Sequence, residues 1–126
     1  MDDQYETGMA IRRKVLGNAH VESAEKRKTE FDEPFQNMIT RTAWGSVWAG
    51  ETFSLRERSI VTLALLASQG LDEEFAMHLR ATANTGASPE DVREALMHVA
   101  VYSGVPRANH AIKIAKTVYE EMGIET

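Results

Sequence analysis

Ser54-Leu55-Arg56-Glu57-Arg58-Ser59-Ile60-Val61-Thr62-Leu63-Ala64-Leu65-Leu66-Ala67-Ser68-Gln69-Gly70 is the stretch whose reading decides the fold class. Its first four residues form a capping-box pattern, in which a serine hydroxyl accepts from an orphan amide and a glutamate reaches back to the cap. The pattern predicts a helix from there to about Ser68, with Gly70 supplying a left-handed exit. From Ile60 to Ala67, seven of eight residues are apolar, which predicts burial nearly all round. Either neighbouring helices of the same chain cover this helix or a second copy does, and so short a chain favours the second copy.

The same punctuation continues on both sides. Asp72 is placed to cap a helix carrying Glu74, His78 and Arg80 and ending near Gly86. Ser88-Pro89-Glu90-Asp91 supplies a cap, a first-position proline and two first-turn acids for a helix reaching Gly104. On that helix Val92, Leu96 and Val99 form a core stripe, while Met97 and Val101 lie away from it and are apolar too. Pro106 opens a last helix through Tyr119. Upstream, Met9 to Leu16 predicts a short helix ended by Gly17, residues 18–30 a polar extended arm, and Asp32-Glu33-Pro34 the start of a helix through Trp44. No stretch alternates with period two, so strands are not required. The expectation is one all-α domain over residues 1–126, with an N-terminal helix and arm in 1–30 and a helical core in 31–122.

Composition narrows the chemistry. The 126 residues contain no cysteine, which removes thiolate nucleophiles, thiol redox couples and zinc–thiolate sites together. A net charge of −5 argues against nucleic acid or an anionic membrane as partner. A small anionic substrate stays compatible with it, because a few inward arginines suffice. No apolar run is long enough to span a bilayer, and the acidic N-terminus does not read as a signal peptide; a cytoplasmic location is expected.

Several residues are suited to chemistry. Glu74 and His78, four apart, share one helix face, and a carboxylate beside an imidazole fixes its tautomer. An ordinary solvated pair has the same spacing. His98 and Tyr102 repeat that spacing on the following helix, with Glu94 a turn before, and serve equally as a hydrogen-bonded rim pair. Trp44 and Trp48 are also four apart, a spacing more often core than pocket wall. Of Arg56 and Arg58, one can point inward to bind a carboxylate. The four histidines, at 20, 78, 98 and 110, form no helical metal-binding pair, so no metal is expected. Nucleotide-binding and hydrolase loops are absent from the sequence.

A longer pattern joins these residues. Gly8-Met9-Ala10-Ile11-Arg12-Arg13-Lys14-Val15-Leu16-Gly17-Asn18-Ala19-His20-Val21, Phe31-Asp32, Phe35-Gln36 and Ile39-Thr40-Arg41-Thr42-Ala43-Trp44-Gly45 resemble the opening of the lactone decarboxylases of the carboxymuconolactone decarboxylase family. Leu55-Arg56-Glu57-Arg58-Ser59, Glu74 with His78-Leu79-Arg80-Ala81, Asn84-Thr85-Gly86-Ala87, Glu94-Ala95-Leu96, Tyr102-Ser103-Gly104-Val105-Pro106 and Ala108-Asn109 are similar to the wider family. Alkylhydroperoxidase-type members carry a C-x-x-C pair before the histidine equivalent to His78. Here Leu71-Asp72-Glu73-Glu74 stands in that place, so thiol peroxidase chemistry is ruled out.

The resemblance implies an all-α, AhpD-like bundle of about six helices, assembled as a homo-oligomer (trimer or hexamer), with a site near subunit contacts. It implies decarboxylation of 4-carboxymuconolactone to 4-oxoadipate enol-lactone in protocatechuate breakdown by the β-ketoadipate pathway, with no cofactor. By motif position, Arg58 holds the substrate's side-chain carboxylate. His78, oriented by Glu74, stabilises developing charge or delivers a proton. His20, Trp44, His98 and Tyr102 supply the remaining role and the pocket walls. A decarboxylase or isomerase of a related lactone, or a non-catalytic small-ligand-binding homologue, carries the same residues.

Overall fold

The computed structural model describes residues 2–126, which hold helices and no strand. They form two compact units, residues 2–54 and 55–126.

In the N-terminal unit, α1 (Asp3–Leu16) begins six residues before the expected start. Asp2 caps it, its carboxylate accepting from the Tyr5 amide at 2.8 Å, and first-turn acids and last-turn bases complement the helix dipole. The expected extended arm is instead a second helix, α2 (Asn18–Arg27). Its polar sequence hides the periodic signal, because one fully buried residue, Val21, anchors it and ion pairs supply the rest. Arg12 reaches Glu25 at 3.2 Å, Arg13 reaches Glu22 at 2.7 Å, and Lys28 reaches Glu25 at 2.8 Å. Next comes α3 (Glu33–Ile39), with Pro34 in its first turn. The helix expected to continue through Trp44 changes register: Thr40–Val47 is a π-helical turn, against which α1 packs.

In the C-terminal unit, α4 (Leu55–Gln69) ends at Gly70, whose φ of 71° is the expected left-handed exit. α5 (Asp72–Arg80) is capped by Leu71 rather than Asp72. The Asp72 carboxylate, one residue inside the helix, meets His110 Nε2 at 2.9 Å instead. A short α6 (Thr82–Thr85) follows and stops at Gly86, with φ of 88°. α7 (Pro89–Ser103) carries the full capping box: Asp91 N donates to Ser88 Oγ at 3.0 Å and Ser88 N donates to Asp91 Oδ2 at 2.9 Å. α8 (Val105–Glu121) completes the unit.

Leu63 and Ala67 from α4, Phe75 and Leu79 from α5, the predicted stripe Val92, Leu96 and Val99 from α7, and Ala111, Ala115 and Val118 from α8 form one core. Within the single chain, burial of α4 is one-sided. Val61 and Leu65 are exposed, as are Met97 (57%) and Val101 (76%) on α7. The extra apolar surface read from the sequence is therefore not covered by the chain's own helices. No helix of the described residues is long and apolar enough to cross a membrane.

Candidate functional site

The first turn of α4 distinguishes its two arginines. Arg56 is exposed and committed to Asp91, with Nε donating to Oδ2 at 2.8 Å and Nη2 to Oδ1 at 2.6 Å. That guanidinium, helped by the Ser88 amide, holds the Asp91 carboxyl well below the usual carboxylate range. Arg58 is half-buried, and its Nε is shut away from solvent. Of the two, Arg58 is the more enclosed.

His78 is buried in the last turn of α5, with Nδ1 enclosed. α4 and α5 pack on each other and are joined by Gly70 and Leu71. At about 1.5 Å rise per residue, Arg58 lies about 17 Å along α4 from that connection and His78 about 9 Å along α5. Both are therefore toward the end of the hairpin remote from Gly70. Glu74 is exposed one turn before His78, on the same face of α5.

His98 and Tyr102 lie on α7, both exposed, with their rings stacked at 6.3 Å between centroids and 10° between planes. They neighbour Met97 and Val101 on the exposed apolar side of that helix. A stacked, solvent-facing pair beside an uncovered apolar surface differs from a rim pair that closes on its own helix.

His20 and Trp44 belong to the N-terminal unit. His20 is half-buried on α2. Trp44 is buried in the π-helical turn and packs against Trp48, with centroids 5.1 Å apart and planes inclined by 33°.

A concavity of about 350 Å3 runs between α7 and α8, with Leu96, Met97, Ile112, Ala115 and Tyr119 in its lining and Arg93 and Lys116 among its charged groups. None of Arg58, Glu74, His78, His98 or Tyr102 lines it. Glu90 and Glu125 join its lining too, so its charges offset one another and it does not suit a dianion. No group of three or more His, Asp or Glu side chains among the described residues is placed to hold a metal ion.

Two features were missed in the sequence. Ser59, beside Arg58, is fully buried with no hydrogen-bond partner for its hydroxyl, and only its place in the quoted motif marked it. The π-helical turn was missed as well; its signal is the pair Thr40 and Thr42 followed by Gly45, residues that tolerate or support a widened register.

Similarity to known proteins runs along the same residues. A sequence profile of the carboxymuconolactone decarboxylase family matches residues 33–117. A 4-carboxymuconolactone decarboxylase of Acinetobacter baylyi is 37% identical over 98% of this chain and 92% of its own length. A nitrosuccinic acid decarboxylase of Metarhizium robertsii is 35% identical over 94% of this chain and 82% of its own length. A 4-carboxymuconolactone decarboxylase sequence of Pseudomonas putida is 47% identical over 47 residues, 98% of its own length and 36% of this chain. With the profile spanning most of the chain and the first relative spanning nearly all of it, this chain belongs to the carboxymuconolactone decarboxylase family.

Proposed function

We propose that this chain is a cofactor-independent carboxy-lyase that converts 4-carboxymuconolactone to 4-oxoadipate enol-lactone and CO2, in the protocatechuate branch of the β-ketoadipate pathway. The observation that carries this reading is the 37% identity to the Acinetobacter baylyi enzyme over 98% of the chain. The family profile crosses both compact units, which supports treating residues 1–126 as one functional domain.

The substrate is an α,β-unsaturated lactone whose ring γ-carbon carries the carboxylate that leaves. When the bond to CO2 breaks, its electron pair flows through the ring alkene into the lactone carbonyl, giving a furan-like dienolate. A proton added at the α-carbon then yields the enol-lactone. The substrate is its own electron sink, so the protein has three tasks. It binds the side-chain carboxylate, stabilises charge on the lactone oxygen, and delivers a proton. Arg58 takes the first, in bidentate fashion suited to a guanidinium. His78 takes one of the other two, and a donor aimed at the developing oxyanion is worth about 3–4 kcal/mol. Glu74, on the same face, orients it in the bound state, where catalytic hydrogen bonds tighten. His20, Trp44, His98 and Tyr102 provide the remaining donor and the pocket walls.

The active form in this reading is a cytoplasmic homo-oligomer, a trimer or hexamer. Its support is the uncovered apolar surface of Val61, Leu65, Met97 and Val101, with His98 and Tyr102 alongside. His98 and Tyr102 are exposed in the single chain, and a second copy against that surface would cover them.

A second reading is favoured by the 35% identity to the nitrosuccinic acid decarboxylase. Nitrosuccinic acid also carries its own electron sink, a nitro group, and a second carboxylate for an arginine to hold. The same residues therefore suit a carboxylic acid of that kind.

The test is CO2 release by chelator-treated protein from freshly generated 4-carboxymuconolactone, with nitrosuccinate in parallel and His78→Ala as control. Fast turnover of the lactone that collapses in His78→Ala upholds the first reading. Turnover of nitrosuccinate alone replaces it with the second, and no CO2 from either leaves a non-catalytic binder.

A further inference from the structure

The concavity between α7 and α8 takes no part in the chemistry assigned above, and it lies wholly within residues 55–126. Leu96 and Met97 of α7 and Ile112 and Ala115 of α8 form its apolar wall, and Tyr119 joins them. At about 350 Å3 it falls in the size range of pockets that hold small organic molecules, about 300–1,000 Å3. Apolar walls with a few polar groups are also the usual makeup of such pockets.

The charges in the lining select against an ion. Arg93 and Lys116 are balanced by Glu90 and Glu125, so the concavity offers a ligand no net charge. An ion entering it would give up hydration to apolar walls without a dedicated counter-charge, and a neutral molecule would not. Met97 and the Tyr119 ring both favour an aromatic neighbour, by sulfur–ring and ring–ring contact.

One polar group in the lining is left over. Tyr119 is 4% exposed, and its hydroxyl has no hydrogen-bond partner. Buried hydroxyls are normally paired, and an orphaned one carries a desolvation cost that nothing returns. Burial and the charges of Glu90 and Asp91 keep its proton on well beyond neutral pH, so it is a donor and not an anion. The influence of those two carboxylates puts the hydroxyl toward the first turn of α7, the end at which Pro89 and Glu90 enter the lining. Met97 and Lys116, flexible members of that lining, can give way so that a bound group meets it.

We propose that the α7–α8 concavity, lined by none of the residues assigned to decarboxylation, is a binding site for a small neutral aromatic molecule: its rings lie between Leu96, Met97, Ile112 and Ala115, and a hydrogen-bond acceptor on them accepts from the Tyr119 hydroxyl. This goes beyond the lactone decarboxylase reading and does not rest on it.

The probe is 2-naphthol, uncharged in neutral buffer and carrying one oxygen on two fused rings, with 2-naphthoate as its charged counterpart. Calorimetric titration of the full chain reads the affinity and the number of sites. Ile112→Trp fills the concavity from a partly exposed position, and Tyr119→Phe removes the hydroxyl alone. The expected result is saturable binding of one 2-naphthol per chain and binding of 2-naphthoate at least about tenfold weaker. Ile112→Trp should abolish binding, and Tyr119→Phe should raise Kd about three- to tenfold, the range of one neutral hydrogen bond. Circular dichroism and light scattering on each variant check that fold and assembly are retained. Should Ile112→Trp fail to fold, Tyr119→Phe, which deletes one oxygen, carries the test. Equal affinity for the two probes overturns the ligand class, and a wild-type Kd in Tyr119→Phe overturns the part given to the hydroxyl. Binding that survives in folded Ile112→Trp, or no saturable binding to wild type, overturns the site. If wild type does not bind and Ile112→Trp lowers the mass seen by light scattering, a second copy fills the concavity instead.

Discussion

Arg56 grips Asp91 with two nitrogens on two oxygens, at 2.8 and 2.6 Å, and thereby ties the first turn of α4 to the capping box of α7. Two arginines two residues apart have therefore been given different work. The exposed one fastens two helices together, and the half-buried one lies with His78 toward one end of the α4–α5 hairpin.

Kinetics on the two arginines separate these roles. Arg58→Lys keeps the charge but loses the fork that matches a carboxylate, so KM for the lactone rises about 10- to 100-fold with a smaller change in kcat. Arg56→Ala lowers the thermal midpoint and leaves KM within about twofold of wild type. Equal KM losses in both variants would mean that neither arginine is dedicated to substrate.

Tyr119 offers a stability test independent of catalysis. Its hydroxyl is buried on α8 with no hydrogen-bond partner, and burial, with the charges of Glu90 and Asp91, pushes it from 10.0 up to about 12. The unfolded chain gives up this proton near its ordinary value, while the native chain holds it to about 12. The stabilising difference is whole below pH 10 and is lost as pH rises from 10 towards 12. Tyr119→Phe should match or exceed wild-type stability at neutral pH, because a hydroxyl without a partner costs desolvation. The wild-type midpoint should then fall more steeply than the variant's above pH 10. Parallel curves for the two proteins would show that the hydroxyl is hydrated.

The C-terminal half was legible because its signals are local. Ser88-Pro89 with Asp91, the stripe of Val92, Leu96 and Val99, and Gly70 and Gly86 fix helix ends and the buried face by short-range rules. The N-terminal half was not. α2 is held by Arg12 and Arg13 reaching across from α1 to Glu25 and Glu22, with Lys28 on Glu25, charge pairs that leave no apolar period to read. The π-helical turn is met by α1 at Gly45, a contact that a window of sequence around Trp44 does not contain. For the candidate site, the residue types were legible and the partners were not. Spacing put Glu74 and His78 on one face, but no local spacing shows that Arg56 finds Asp91 thirty-five residues away.

His78 and Glu74 are tested together on that account. His78→Ala removes the proposed donor and should lower kcat about 10²- to 10⁴-fold, within the range of general acid–base contributions. Glu74→Gln keeps the shape and removes the charge, and its expected effect is about tenfold on kcat with KM unchanged. A Glu74→Gln variant with wild-type kcat would remove the orienting carboxylate from the mechanism and leave His78 acting without it.

Val101, 76% exposed on α7, is the sharpest probe of assembly. A charge there costs nothing in an isolated chain, because the side chain already faces water. Buried against a second copy, an unpaired carboxylate is strongly unfavourable. Val101→Glu should therefore keep the helical circular dichroism of wild type while shifting the mass seen by light scattering towards the monomer. Because His98 and Tyr102 flank the same surface, decarboxylation should fall in step with dissociation and recover partly as protein concentration is raised. A Val101→Glu protein that stays assembled would put the subunit contact elsewhere. One that becomes monomeric and keeps full activity would show that a single chain completes the site.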